Sequence, residues 1–163
     1  MLSAMTVTVT RDMAEKVLKN IRAVPQKKLL VGIPAEENAR SETIGNAALG
    51  FIHEYGSPAR NIPPRPFLVP GVRDAEPQAV AMLATPTGDA LTQGYGALEK
   101  GLERAGLVCQ AAVKKRIVSQ DGFAPLSPRT IAARQRKGYQ GTKALIRTGQ
   151  LLNSITYVIR KAA

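Results

Sequence analysis

Tryptophan is missing from this chain, and Phe and Tyr together make up only 4% of it. A chain of 163 residues suffices for one domain burying roughly 70% of its unfolded surface. Its core must therefore be filled with aliphatic side chains and alanine, which the 44% apolar content supplies. The single cysteine, Cys109, excludes an intrachain disulfide and suits assembly in a reducing compartment. No apolar run approaches the ~20 residues of a membrane span. Met1 to Thr10 has neither a basic start nor a long apolar core, so neither a membrane segment nor a secretory signal is expected.

Chemistry is scarce as well. His53 is the only histidine, so no two-histidine metal site is possible, and Glu54 beside it on a helix points in another direction. Cys109 falls on the apolar stripe of a helix, where a buried, inert thiol is expected rather than a nucleophile. Gly138–Lys143 lacks the spacing of a phosphate loop and follows no strand. No catalytic constellation can be assembled, so no enzymatic activity, metal or cofactor is expected.

Acidic residues are also unevenly absent. Residues 1–81 hold ten Lys/Arg against eight Asp/Glu, whereas 82–163 hold thirteen against four, and from Gly122 onward there are eight basic residues and no acidic one. The overall net charge is +11. A carboxylate-free basic region suits a polyanion, either nucleic acid or an acidic protein face; a merely solubilising surface explains it equally well. No aromatic-interleaved platform or DNA-reading motif is present, so base-specific recognition is not expected.

Along the chain, alternation in Met5–Thr10 predicts a strand, and Met13, Val17, Leu18 and Ile21 form the apolar stripe of a helix ended by Pro25. Lys28–Ile33 reads as a short buried strand and 35–42 as a polar loop. A helix from Thr43, with Ile44, Ala47, Ala48, Phe51, Ile52 and Tyr55 at helical spacing, stops at Gly56. A further helix is expected over 71–84, broken at Thr85-Pro86-Thr87-Gly88. The longest follows, from Ala90 or Gly96 to Val118, with Leu98, Leu102, Ala105, Cys109 and Val113 on one face. Its basic last turn, Lys114 to Arg116, complements the helix dipole. Residues 119–145 read as a basic irregular arm holding a short helix from Pro128 to Lys137 capped by Ser127. A helical turn through Leu151 and Leu152 then leads into a strand at 154–160. The sum is a single α+β domain, 1–163. Its mainly antiparallel sheet of three or four short strands is packed by helices, one of them long, with extended arms at 57–70 and 119–145.

The stretch from His53 to Gly71 organises the rest, and five of the eleven prolines fall in it. Proline fixes its own φ and restricts the residue before it, so 62–70 is expected to be extended, neither helix nor central strand. Yet Ile62, Phe67, Leu68 and Val69 are wrong for a solvated linker. A pre-ordered apolar segment docks at low entropic cost, either on its own fold or on a neighbouring subunit.

His-Glu-Tyr-Gly ending a helix at 53–56, followed by Asn-Ile-Pro-Pro-Arg-Pro-Phe-Leu at 61–68, resembles the small neck and tail-completion proteins of long-tailed bacteriophages. The later blocks Phe123–Ala132 and Leu145–Ile155 are similar to the same family, and with the stretches between their parts the two regions, 53–71 and 123–155, span about a third of the chain. The resemblance implies a structural virion protein at the head–tail junction, assembled in the host cytoplasm. It would form a homo-oligomeric ring of six or twelve copies through which DNA passes. Implied partners are its own copies, a head connector or head-closure protein, a tail terminator or tail tube protein and, transiently, phage DNA. Ile62, Pro63, Pro64, Arg65, Pro66, Phe67 and Leu68 would form the subunit or ring interface. Arg129, Arg134, Arg136, Lys137, Lys143 and Arg147 would face a partner or the DNA lumen. The charge alone supports an alternative, a small basic nucleic-acid-binding protein.

Overall fold

The computed structural model describes residues 13–23, 27–39, 44–92 and 96–161. In chain order these form helix α1 (Ala14–Ala23), strand β1 (Lys27–Gly32), α2 (Asn46–Tyr55), α3 (Leu68–Thr92), α4 (Gly96–Ser119), α5 (Pro128–Arg136), α6 (Gln150–Ser154) and strand β2 (Thr156–Lys161). The architecture is α+β, as expected, but the sheet is smaller: among the described residues it has two strands rather than three or four. The strand expected at 5–10 lies outside them. β1 pairs antiparallel with β2, Lys27 opposite Lys161 and Gly32 opposite Thr156, so the last described residues close on the strand that follows α1.

The frame is the antiparallel pair α3–α4, the most extensively packed pair of elements. Small side chains line its middle, Ala75 and Ala79 against Ala105 and Cys109, and they let the helices approach closely. At one end Ala90 packs with Leu98 and Leu102. At the other, Phe67, Val113, Ile117, Leu145, Leu151 and Ile155 form the main core. Cys109 is buried as its position on the stripe implied, and burial, with Glu76 adding to it, raises its thiol pKa. β1 and β2 lie on α4. Leu29 and Val31 face the helices while Leu30 between them is half exposed, so β1 is amphipathic rather than fully buried. α1 packs against α3, where Asn20 Nδ2 donates to Leu91 O at 3.0 Å, but Leu18 and Ile21 of its expected stripe stay exposed.

Two expectations fail at α3. The helix begins at Leu68, inside the segment read as extended through Pro70, and it continues through Pro77 and Pro86 without the break placed at 85–88. Pro70 is tolerated because the first helical turn has no intrahelical acceptor for its missing N–H. Pro86 is tolerated because its ring packs on Gly101 of α4, where even a methyl group would come within 2.8 Å of it. That packing offsets a propensity cost of about 3 kcal/mol.

The segment read as a polar loop is also ordered where described. Ala35–Glu37 is a 3-10 turn. Asn38 Oδ1 accepts from Ala47 N at 2.8 Å, and Asn46 Nδ2 donates to Glu37 O and Ala39 O, so this turn caps α2.

Gly71 and Gly88, both on α3, predict opposite outcomes. A Cβ on Gly71 would sit 2.8 Å from Val113 Cα, a backbone atom that cannot swing away, so Gly71→Ala is expected to cost roughly 2 kcal/mol. A Cβ on Gly88 meets nothing within 4 Å, so Gly88→Ala is expected to stabilise by up to about 1 kcal/mol. Urea midpoints of the two variants check both signs.

Candidate interface and cationic cleft

α2 ends at Gly56, whose φ of 78° places it in the left-handed region. A side chain there would meet Ile62 O and Pro64 N at 2.9 Å. The chain then closes a short loop. Ser57 and Ile62 exchange backbone hydrogen bonds of 2.9 and 3.0 Å around a 3-10 turn at Pro58–Arg60. Pro63 to Pro66 run extended, and Arg65 N donates to His53 O at 2.7 Å.

This geometry brings the start of α3 onto Glu54. Its carboxylate accepts from Phe67 N at 2.8 Å, Leu68 N at 2.9 Å and Val69 N at 3.0 Å. Pro70 has no N–H, and Gly71 N already reaches Phe67 O at 3.2 Å. Every N–H at the start of α3 that lacks a backbone acceptor is thus satisfied by one side chain from another helix. Charge-assisted bonds to a helix N-terminus are among the stronger kind. The exposure of Glu54 is 7%.

The structure places the expected interface residues unequally. Phe67, 1% exposed, is the largest side chain of the main core, and Arg65, 5% exposed, donates through Nε to Ala124 O at 2.7 Å and through Nη2 to Pro125 O at 3.1 Å. Leu68 packs against the same core, and Pro66 O accepts from Arg116 Nε at 3.3 Å. So Arg65, Phe67 and most of Leu68 are held within the chain; Pro63 and Pro64 are exposed. The basic arm is likewise docked rather than free. Ala144 and Leu145 are buried, and Gln120 both donates to Ala144 O (3.0 Å) and accepts from Ala144 N (2.6 Å). Arg134 Nη1 donates to Gly141 O, Lys143 O and Ile146 O at 3.2, 2.8 and 3.3 Å. Lys143 Nζ reaches Val118 O at 2.8 Å, and Arg147 lies 5.5 Å over the Tyr139 ring. Arg129, Arg136 and Lys137 are exposed on α5 and just after it, and Ser127 caps α5 as expected.

The two sequence blocks meet across a cleft of about 640 Å³. Ile62, Pro63 and Arg65 contribute from one side, and Arg134, Lys137 and Arg147 from the other, with His53 on the wall. Pro64, Pro66, Phe67, Leu68, Arg129, Arg136 and Lys143 do not line it. Burial lowers the pKa of Arg65, with the charge of Arg134 adding to the effect, and burial lowers that of Arg134.

Sequence reasoning missed two features. One is the cap by Glu54; its signal was a helix start at Phe67-Leu68-Val69-Pro70 with no Ser, Thr, Asp or Asn of its own. The other is the outward face of α2. Phe51 is 66% and Tyr55 63% exposed, with ring centroids 4.8 Å apart.

Among the described residues no three His, Cys, Asp or Glu side chains cluster to hold a metal, and no helix is long and apolar enough to cross a membrane. No family model, no curated protein and no solved structure matches the chain.

Glu54→Ala strips the acceptor from three donors and is expected to lower stability by roughly 3 kcal/mol. Glu54→Gln keeps one acceptor oxygen but turns an NH2 on the remaining donors, and an intermediate loss of roughly 1–2 kcal/mol is expected. Urea unfolding followed by far-UV circular dichroism checks the order wild type, Gln, Ala.

Proposed function

We propose that the chain is a structural virion protein of the head–tail junction of a long-tailed bacteriophage. In this reading it is a subunit of a homo-oligomeric ring, of six or twelve copies, that joins the head connector to the tail tube. The sequence blocks that carry the resemblance support it. The observation that carries its mechanism is the exposed Phe51–Tyr55 pair on α2. Aromatic side chains that leave water on association dominate interface energetics. Pro64 packs on Gly56, directly after Tyr55, so this face is backed by a stiff segment and loses little entropy when a partner covers it.

The interface expected at 62–68 accordingly narrows to Pro63 and Pro64 and extends onto α2. The exposed cations Arg129, Arg136 and Lys143 serve non-specific, salt-sensitive contact with passing DNA.

Phe51→Asp combined with Tyr55→Asp is expected to leave the circular dichroism spectrum unchanged and to weaken self-association at least ~100-fold, as loss of two hot-spot side chains implies. Light scattering over a concentration series checks it. A wild-type chain that stays monomeric in assembled particles, or is absent from purified virions, overturns the proposal.

A further inference from the structure

The cleft gathers Arg65, Arg134, Lys137 and Arg147, and no Asp or Glu lines it. The bonds of Arg65 and Arg134 go to main-chain carbonyls. Neither has a carboxylate partner among the described residues. A carbonyl satisfies an N–H donor but leaves the positive charge of the guanidinium in place, and withdrawing such a charge from water without an anion is costly. The lowered pKa values of both arginines have that cause, and on Arg65 the like charge of Arg134 adds to it.

We infer that this cleft binds the carboxylates of an acidic, apolar-flanked segment of a partner protein. Planar guanidinium groups suit carboxylate oxygens. The rest of the wall includes Leu49, Ile62, Pro63, Leu126 and Leu145, an aliphatic lining that suits the side chains flanking an acidic residue in a peptide. A nucleic-acid strand fits less well. Tyr139 is the one Phe, Tyr or Trp ring in the lining and carries Arg147 over one face, so the cleft offers no row of rings on which successive bases could stack. A cleft of about 640 Å³ admits a few residues of extended peptide and not a duplex. The inference stands on this geometry whether or not the chain belongs to a phage neck.

Fluorescence anisotropy tests it on the full chain. The probe is a fluorescein-labelled heptapeptide alternating Leu and Glu, and its twin carries Gln in place of Glu. The acidic peptide is expected to bind at least tenfold more tightly than the twin. Lys137→Glu is expected to weaken it at least tenfold with an unchanged melting temperature. Lys100→Glu, the same charge change on exposed α4 outside the cleft, is expected to weaken it less than twofold. Equal binding of the two peptides, no binding of either, or equal losses from the two Lys variants would each overturn the inference. Displacement of the acidic peptide by a thymidine decanucleotide at lower concentration than by unlabelled acidic peptide would overturn it in favour of nucleic acid.

Discussion

One carboxylate joins the halves of this molecule. Glu54 sits near the end of α2, yet its oxygens hold the first N–H groups of α3. α3 has no cap of its own, because Phe67 stands where a Ser or Asp would serve and Pro70 offers no donor. Left bare, the Phe67 N–H would be buried and unsatisfied beside the main core, at a cost of about 1–3 kcal/mol, and those of Leu68 and Val69 would be left half-buried. The intervening chain must therefore return to within 3 Å of the helix it has just left. Gly56, the Ser57–Ile62 bridge and the prolines 63, 64 and 66 make that return short and stiff. Phe67 is thereby driven between Val113, Ile117, Leu151 and Ile155. A cap of this kind is tertiary structure written as local chemistry, since α3 can start where it does only once α2 is in place.

The basic residues follow a related logic. Irregular segments have few backbone partners of their own, so their carbonyls need donors from elsewhere. Arg65 supplies them to Ala124 and Pro125 and Arg134 to Gly141, Lys143 and Ile146, while Lys143 reaches Val118 O in the last turn of α4. Arg116 ties Pro66 O to Asp74, linking the end of α4 to the start of α3. Much of the positive charge that reads in sequence as a surface for a polyanion is thus spent on bracing loops. The charge itself is not neutralised by this use. Hydrogen-bond satisfaction and charge compensation are separate requirements, and Arg65 and Arg134 meet the first without the second.

What was legible in the sequence followed from local rules. α4 was visible from its stripe, α5 from Ser127 and Pro128, the stop of α2 from Gly56, and the burial of Cys109 from its helical register. What was not legible depended on a partner. The continuity of α3 past Pro86 is decided by Gly101 on another helix. The inward turn of Phe67 and Arg65 is decided by Glu54 and by the carbonyls of Ala124 and Pro125. In α2, periodicity showed an apolar stripe through Ile44, Ala47, Ala48, Phe51, Ile52 and Tyr55. It could not say that the buried face would instead be Asn46, Gly50 and Glu54, with the aromatic rings left outside. A stripe reveals that a helix has sides; which side meets the core is fixed by what the core offers.

That reversal bears on how such a chain works. Its centre is packed with alanines, a cysteine and aliphatic side chains that let α3 and α4 approach closely. Of three Phe and four Tyr in the chain, one Phe fills the main core, while Phe51 and Tyr55 pack against each other, rings tilted, on the exposed face of α2. Scattered exposed apolar residues are ordinary, and Leu30, Val80 and Leu107 need no explanation. Two mutually packed aromatics on a helix whose buried face is polar are different, since the usual pull of the core on large apolar groups runs the other way here. The buried polar face is dictated by the Glu54 cap and by Asn46, which holds the loop before α2. The interaction that builds the fold therefore also turns the aromatic pair outward, and any partner that recognises this face reads a surface set by the cap of α3.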